Sequence, residues 1–446
     1  MPDGTTSPRP EKETSWRRIA RALQHRNYRL FYGGQGVSLI GTWMTRVATG
    51  WLVYRLTHSA FLLGLVSFSS QIPILFLGPV AGVWVDRLNR HRVLVITQIL
   101  SMLESFALAA LALTGVITVG EIILLNLFQG AVNAFDMPAR QAFVIEMVES
   151  REDVPNAIAL NSSLVNVARL IGPSVAGLLI AGFGEGYCFL FDGFSYLAVI
   201  ASLLAMSLVP WTPRAHPSVT SELREGWDYI RGFSPIWSIL MLLSLASLVG
   251  MPYTALMPIF AGSILHGGAH TFGFLMGAVG VGALIGAVTL AMRRSVLGLG
   301  RLLALTTAGF GASLVAFSTS TQLWLSLLLL VVTGFCFMQL MASSNTILQT
   351  IVEDAKRGRV MSFYAMSFQG VTPFGSLIAG AVAARIGAPH TLMLGGTICV
   401  AGAAAFAWQL PALRKLVHPI YIQMGILPEI VSGINAASVL QEPPQE

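Results

Sequence analysis

The chain contains 446 residues, of which 54% are hydrophobic and only 11% are charged. Soluble domains carry about a quarter charged residues, so this composition excludes a soluble globular protein. It provides enough apolar residues for about twelve membrane helices of about 20 residues each. The three cysteines, Cys188, Cys336 and Cys399, lie far apart in apolar stretches, which excludes a disulfide framework, and we expect no metal site.

Stretches without charged residues predict where the chain crosses the membrane, because Asp, Glu, Lys and Arg are costly at bilayer depth. Residues 232–292 and 302–352 contain none of the four, and each stretch is long enough for two helices. The same rule predicts spans at 28–54, 60–84, 93–114, 119–138, 156–182, 187–209, 236–260, 271–292, 302–317, 323–343, 360–384 and 391–410. The sequence therefore predicts an all-α membrane protein with twelve transmembrane helices.

Two features divide these helices into two groups of six. A long loop follows the sixth span, and a shift of 204 positions places Gly78 on Gly282 and Gly82 on Gly286. An offset that holds over many residues indicates duplicated halves, which in transporters enclose a substrate site near the midplane. The predicted organisation is a basic N-terminal segment (1–27), a first bundle (28–209), a central loop (210–235), a second bundle (236–410) and a tail (411–446).

The distribution of Lys and Arg predicts the orientation in the membrane. Most of these residues fall in the terminal segments and in the loops on the same side, whereas only Arg55 and Arg385 fall in predicted loops on the other side. Cytoplasmic loops carry an excess of Lys and Arg. We therefore expect a multi-pass protein of the plasma membrane with both termini in the cytoplasm.

The loop after the second span contains a specific motif. Residues 82–92 read Gly-Val-Trp-Val-Asp-Arg-Leu-Asn-Arg-His-Arg, which resembles the signature Gly-x-x-x-Asp-Arg-x-Gly-Arg/Lys-Arg/Lys between helices two and three of the major facilitator superfamily. Asn89 replaces the usual glycine, a mild departure because asparagine tolerates left-handed backbone angles. The resemblance implies the major facilitator fold, with two pseudo-symmetric six-helix bundles, and a transporter that opens to either side in turn.

The resemblance also implies a conformational latch made of Gly82, Asp86, Arg87, Arg90 and Asp136. In the superfamily such contacts hold the outward-facing state, with Asp86 near the start of helix eleven and Arg90 bound to the acid at the inner end of helix four, here Asp136. The alternative is a loop whose arginines only follow the positive-inside rule. That alternative explains the arginines but not the acid at Asp86.

Within the superfamily, residues 134–142 and 156–161 resemble the branch that contains enterobactin exporters and macrolide-efflux proteins. Gly172, Pro173 and Gly177 approximate a fifth-helix motif associated with exporting antiporters, with Ala176 in place of a glycine. The resemblance implies export of an amphipathic small molecule, such as a siderophore, a macrolide or another drug-like compound, by proton antiport. Small residues in the motif allow helices to approach closely.

Polar residues at steps of three and four form one face on three predicted helices. They are Gln35, Ser38, Thr42, Arg46 and Thr49 on the first, Asn126, Gln129, Asn133, Asp136 and Arg140 on the fourth, and Gln339, Ser343, Thr346 and Thr350 on the tenth. Such faces cannot contact lipid, so they either line a water-filled cavity or pack against each other through dry interhelical hydrogen bonds. We favour the cavity, because a dry contact would not need so many large amides, and we expect these amides to line the substrate pathway.

Five charged residues fall within predicted spans: Arg46, Glu104, Asp136, Arg169 and Asp192. Glu104 lies about 16 Å along the third helix, near the midplane, which makes it a candidate proton carrier; Asp136 is a second candidate. A hydrogen bond from Glu104 to a neighbouring helix is an equally good interpretation. Arg46 and Arg169 are candidate substrate or counter-charge residues, because guanidinium matches carboxylate or catecholate oxygens. Their alternative is an ion pair with Asp192 or Glu104.

The sequence lacks the Gly-x4-Gly-Lys phosphate loop, so energy from ATP hydrolysis is not expected and an ion gradient is. We expect a monomeric transporter, not an enzyme, whose partners are a small-molecule substrate, the proton as coupling ion and the lipid bilayer, with no cofactor and no nucleic acid. Two alternatives remain at this point. The protein could be a non-transporting membrane sensor or scaffold of the same fold, or it could be an importer or facilitator.

Overall fold

The computed structural model of the protein describes residues 20–148, 150–207, 227–293, 295–424 and 426, except for the side chains of Pro79, Val83, Asp86, Asp354 and Ala355. The described ranges contain only helices and the turns between them. Twelve helical rods run in chain order: α1 Arg26–Thr57, α2 Ala60–Arg87, α3 Arg90–Thr114, α4 Val119–Met147, α5 Val154–Phe183, α6 Glu185–Leu204, α7 Ser234–Ile264, α8 Ala269–Ala291, α9 Leu299–Ser318, α10 Leu323–Ile351, α11 354–386 and α12 Ala388–Gln423.

These rods match the twelve predicted spans, but several extend further than predicted. The predictions ended α4 at 138, α10 at 343 and α12 at 410, whereas the helices continue to Met147, Ile351 and Gln423. The predicted ends were too early because they followed the polar and charged residues at the membrane boundary, and a helix can continue beyond the hydrocarbon layer. Within the described ranges, nine helices are long and apolar enough to cross a membrane. The other three rods, α1, α4 and α11, contain more polar residues.

Short polar side chains start three of the membrane helices by accepting hydrogen bonds from free backbone amides. Ser59 caps α2, Asn89 caps α3 and Thr118 caps α4 in a capping box with Glu121. Asn89 has a φ of −69°, so this position does not use a left-handed backbone. Asparagine is suited here because its side chain accepts a hydrogen bond from the backbone N–H of Arg92.

The helix contacts show two similar bundles of six. In the first bundle α2 packs on α4 and α3 packs on α6, and the second bundle repeats these pairs as α8 on α10 and α9 on α12. Between the bundles, α2 packs on α11 and α5 packs on α8. Superposing the first bundle on the second would place α2 on α8 and α5 on α11, so each of these two interfaces would take the place of the other. This is the pseudo-symmetry expected from duplicated halves.

The bundles meet on one side of the molecule. We call the side with residues 20–25 and the end of α12 the termini face, and the other side the far face. Near the far face, the Tyr54 hydroxyl on α1 lies 2.7 Å from Ser263 Oγ on α7. A Cβ atom built on Gly177 of α5 would lie 2.9 Å from the Cα of Gly273 on α8. The two helices touch backbone to backbone there, which closes the far face.

The termini face is more open between the bundles. A Cβ atom built on Gly78 or Gly82 of α2, or on Gly358 of α11, would meet no atom within 4 Å. By contrast, nearer the far face, a Cβ on Gly64 of α2 would lie 3.0 Å from the Cα of Gly380 on α11. The space between the bundles therefore widens toward the termini face.

A cluster at the termini face predicts a pH dependence. Arg21 and His25 both bind the carboxyl group of Asp153, His25 at 2.9 Å, and the hydrogen bond from His25 lowers the pKa of Asp153, with Arg21 acting in the same direction. A lowered pKa means that the contact is complete above the usual pKa of aspartate and is lost as the pH falls through the lowered value. We expect acidification to release residues 20–25.

Hydrogen exchange measured across pH tests this expectation. Exchange at residues 20–25, corrected for intrinsic rates, should rise in acid, and Asp153→Asn should raise it already at neutral pH. The matched control is Glu152→Gln, because Arg21 contacts the backbone carbonyl of Glu152 and not its side chain. Protection of residues 20–25 that is independent of pH would contradict the prediction.

Candidate functional site

Two arginines share one tryptophan ring in the first bundle. Trp43 and Arg46 lie one turn apart on α1, and α5 contributes Arg169. The guanidinium carbon of Arg46 lies 4.8 Å from the centre of the Trp43 ring and that of Arg169 lies 5.3 Å from it. A Cβ atom on Gly172 would lie 2.5 Å from Trp43 Cβ, so this glycine allows α5 to reach α1. We call Trp43, Arg46 and Arg169 the arginine cluster.

The arginine cluster borders the space between the bundles. Arg46 is exposed although it lies in the middle of α1, and Arg169 is half-buried. Arg169 interacts electrostatically with Tyr253 on α7, in the other bundle. A Cβ on Gly280 of α8 would lie 3.1 Å from the Arg169 backbone oxygen. Among the residues that the structure describes, neither arginine forms an ion pair, so the expected alternative of a pairing with Asp192 or Glu104 is not observed.

Two carboxyl groups lie in the interior of the first bundle, on the side of α1 that packs against α6. Asp192 on α6 accepts hydrogen bonds from Thr45 Oγ1 on α1 at 2.9 Å and from Ser105 Oγ on α3 at 3.0 Å. Ser105 Oγ also lies 3.4 Å from Oε2 of Glu104. Both acids are buried, with exposed fractions of 2% for Asp192 and 5% for Glu104. We call these four residues the carboxylate cluster.

Asp192 was not among the predicted pathway residues. The sequence shows an acid within a predicted span, which marks it as unusual, but the spacing along α6 does not reveal which helices it contacts. Only the packing of α6 against α1 and α3 brings it to Thr45 and Ser105. The predicted site residue Glu104 is thereby placed beside a second acid, and no ion pair of either is observed in the described part of the chain.

Asp136 lies inside the first bundle rather than in the space between the bundles. It is 2% exposed, forms an ion pair with Arg140 on the same helix, and accepts hydrogen bonds from Thr97 and Gln98 on α3. Its position on the predicted polar face of α4 therefore reflects contact with α3. These partners compensate the buried charge.

The predicted contact between Arg90 and Asp136 belongs to the outward-facing state and stays a prediction. Arg90 Nη1 lies 2.7 Å from Oε1 of Glu146, in the last turn of α4. Ten residues separate Asp136 from Glu146, about 15 Å along a helix, and Arg90 begins α3 at the termini face. Glu146 was missed because the predicted end of α4, at 138, excluded it.

The remaining latch residues are only partly described. Gly82 and Arg87 lie in the last turns of α2, where Gly82 faces open space and Arg87 is exposed. The backbone of Asp86 belongs to α2, but its side chain is outside the described atoms. A contact between Asp86 and the start of α11 therefore remains a prediction.

The polar faces show features of both arrangements that the sequence allows, interhelical hydrogen bonds and a water-filled cavity. Gln129 donates a hydrogen bond to Ser101 on α3 at 3.0 Å, and Gln339 donates one to Thr289 on α8 at 2.7 Å. The side-chain oxygens of Gln129 and Gln339 nevertheless have no partner within the described ranges. The same holds for Gln35 Oε1, Ser247 Oγ and Ser343 Oγ. Asn133, one turn from Gln129, is half-buried.

Unpaired oxygens of this kind require water or a ligand, because buried polar groups are almost always hydrogen-bonded. Six of the seven such oxygens in the described ranges lie on α1, α4, α7 and α10, two helices from each bundle, and the seventh, Gln98 Oε1, lies on α3. The four helices therefore border a polar compartment between the bundles. The arginine cluster lies at its edge.

A pocket of about 550 Å³ opens at the termini face of the second bundle. Its walls include Tyr229, Phe233, Thr350, Arg357 and Met424. None of the buried acids and neither arginine of the arginine cluster belongs to its wall. The candidate functional site is therefore the space between the bundles and not this pocket.

Three known transporters are similar to this chain over most of its length. The staphyloferrin A transporter of Staphylococcus aureus (strain NCTC 8325 / PS 47) is 26% identical, over 83% of this chain and 93% of its own. The multidrug efflux pump Tap of Mycolicibacterium fortuitum is 27% identical, over 84% and 93%. The enterobactin exporter EntS of Escherichia coli O1:K1 / APEC is 26% identical, over 82% and 86%.

Solved structures show the same fold at lower sequence identity. The nucleoside transporter NupG superposes with a TM-score of 0.66 at 16% identity, over 87% of this chain and 99% of that one. A bacterial homolog of the human lysosomal transporter Spinster superposes with a TM-score of 0.65 at 13% identity, over 88% and 98%. Both likenesses support the fold alone.

The sequence profile of one family matches residues 20–419, and that family is described as transmembrane secretion effector. The match covers both bundles and almost the whole described chain. With the twelve-helix architecture already established, it shows that this protein is a multi-pass membrane transporter of the major facilitator superfamily, not an enzyme, and belongs to the transmembrane secretion effector family.

Proposed function

We propose that this protein is a secondary active exporter of the plasma membrane, which moves an amphipathic small molecule with an anionic group out of the cytoplasm by alternating access in exchange for protons. Siderophores fit this description best, and macrolides or other drug-like compounds are the alternative substrates. The names of the relatives support export of such molecules. The excess of Lys and Arg at the termini face supports a cytoplasmic position for that face.

The arginine cluster is the single observation that carries the choice of substrate. Two guanidinium groups border the compartment between the bundles, and neither is paired with a carboxylate in the part of the chain that the structure describes. A charge at membrane depth is costly unless it is compensated. An anionic ligand would compensate it, and Trp43 offers an aromatic face to the apolar part of the same ligand.

The alternating-access mechanism is supported by the contacts between the bundles. The far face is closed by glycine contacts such as Gly177 with Gly273, whereas α2 and α11 leave space around Gly82 and Gly358. A substrate could then enter from the termini face. Rocking of the bundles would break the far-face contacts and bring the ends of α2 and α11 together, where the predicted latch with Asp86 and Arg90 would form.

Transport into inside-out membrane vesicles tests the proposed function. With an acidic vesicle interior, a catecholate siderophore such as enterobactin should accumulate, and a protonophore should abolish the accumulation. A macrolide and a cationic dye serve as probes of the opposite charge preference. We expect each unit of imposed pH difference to raise the accumulation ratio about tenfold for each proton exchanged.

Other outcomes would contradict parts of the proposal. Accumulation of the macrolide or dye instead of the catecholate would overturn the anionic substrate. Uptake that is equal with and without a gradient would indicate a facilitator, and uptake only in right-side-out vesicles would indicate an importer. If vesicles that hold the imposed pH gradient transport none of the probes, the sensor or scaffold alternative would be favoured.

A further inference from the structure

We infer that Asp192 and Glu104 together form the proton-binding site of this transporter, with Ser105 as the group that connects them. Asp192 has no assigned role, and the inference rests on the proposed proton exchange. It begins from the geometry of the carboxylate cluster. Two acids from different helices, α6 and α3, meet at one hydroxyl group in the interior of the first bundle.

The count of hydrogen-bond donors supports a proton on this pair. A serine hydroxyl has one hydrogen to donate. Ser105 Oγ lies 3.0 Å from Asp192 Oδ2 and 3.4 Å from Glu104 Oε2, so it can donate to only one of them. If it donates to Asp192, as Thr45 also does, the contact with Glu104 is a hydrogen bond only when Glu104 is a carboxylic acid that donates to Ser105.

The charges around the pair do not replace this proton. Within the described ranges no Lys, Arg or His forms an ion pair with Asp192 or Glu104. Two ionised carboxylates beside the same hydroxyl group in a buried site, without a cation, are costly. A proton shared by the two acids removes one of the charges.

Several other titratable groups face the cluster, and they are accounted for. Tyr196 on α6 is within electrostatic range of Asp192 and Glu104. It is also within range of Asp136 on α4. Arg46 on α1 has Arg169 and Tyr196 as its electrostatic neighbours, not the two acids. Cys188 on α6 is also within electrostatic range of Asp192. Of these groups Arg46 and Arg169 carry a permanent positive charge near α1, and within the described residues neither forms an ion pair with Asp192 or Glu104.

Helix α1 connects this site to the substrate site. Thr45 donates a hydrogen bond to Asp192 on the α6 side of α1. The next residue, Arg46, is exposed beside the compartment. Loss of the proton would remove the donor between Glu104 and Ser105 and change how α3 and α6 hold Thr45. A shift of α1 would then move Trp43 and Arg46 together, so proton binding and substrate binding would act on the same helix.

Infrared difference spectroscopy of the purified protein in lipid tests the site without any substrate. The wild type should show the carbonyl band of a protonated carboxylic acid that disappears at high pH. The variants Glu104→Gln and Asp192→Asn, singly and together, should abolish or shift that band. The control Glu121→Gln should leave it unchanged, because Glu121 is a half-buried helix-cap residue at the start of α4 and glutamine can form the same cap. An unchanged band in the double variant would overturn the inference.

Transport with the catecholate probe gives a second readout that separates coupling from folding. At equal pH on both sides, the neutral variants should still exchange labelled for unlabelled catecholate, which shows a folded transporter. With an imposed gradient they should lose the accumulation of about tenfold per pH unit. Double-variant accumulation equal to that of the wild type would overturn the inference. If even the wild type transports nothing, the proposed function fails, and the infrared measurement still decides the proton site.

Discussion

Gly177→Leu is expected to open the far face of the transporter. A Cβ atom at Gly177 would lie 2.8 Å from the backbone oxygen of Ala269 and 2.9 Å from the Cα of Gly273, both on α8. Backbone cannot give way as a flexible side chain can. Overpacking of this kind costs about 1–3 kcal/mol, and it acts only on the state in which the bundles touch at the far face. That difference shifts the ratio of the two states by about 5- to 150-fold.

Labelling of a cysteine at position 49 measures the shift. Thr49 on α1 is 7% exposed, so Thr49→Cys should react slowly with a membrane-impermeant maleimide in the otherwise wild-type protein. It should react much faster from the far face in the Gly177→Leu background. The three native cysteines are buried and give little background.

Gly182→Leu is the matched control. Gly182 lies on the same helix, and a Cβ atom there would meet nothing within 4 Å, so both changes alter helix propensity alike but only one creates a collision. The control should keep the slow reaction of the parent. Equal labelling rates in both leucine variants would show that the Gly177 contact does not hold the far face closed.

Removing the charges of the arginine cluster is expected to produce the largest loss of substrate binding. Hydrogen bonds to charged groups contribute about 1.5–3 kcal/mol, so Arg46→Gln and Arg169→Gln should each weaken binding of a catecholate about 10- to 150-fold. Arg46→Lys should restore little of the loss, because lysine retains the charge but lacks the planar fork that stacks on Trp43.

Binding of labelled catecholate to purified protein measures this effect. Arg29→Gln is the control, since Arg29 lies on the same helix and is exposed near the termini face, and its replacement removes the same charge. Its affinity should match that of the wild type. Unchanged binding after replacement of both Arg46 and Arg169 would contradict their role at the substrate site.

The membrane helices could be predicted from the sequence because the bilayer imposes a strict rule on charge. Stretches such as 232–292 contain no charged residue, and a helix is the only way to satisfy the backbone within the lipid. The rule weakens where a helix leaves the hydrocarbon layer. The end of α4 was therefore placed too early, and Glu146, the partner of Arg90, was overlooked.

The site could be predicted less completely, because its contacts join distant helices. The sequence marks Arg46, Arg169, Glu104 and Asp192 as unusual within spans, but it does not show which of them are neighbours. Arg46 and Arg169 meet through Trp43, not through an acid. Periodicity on α4 indicated one polar face, yet it could not show that Asp136 turns toward Thr97 and Gln98 on α3.

The most direct measurement concerns the polar compartment itself. Asn133 on α4 is half-buried beside Gln129, and Asn133→Cys reports whether water reaches this depth. An impermeant maleimide should label it from the termini face, in inside-out vesicles, and in the Gly177→Leu background the label should enter from the far face instead. A cysteine at position 133 that is inert from both sides in both backgrounds would contradict a compartment that opens to each side in turn.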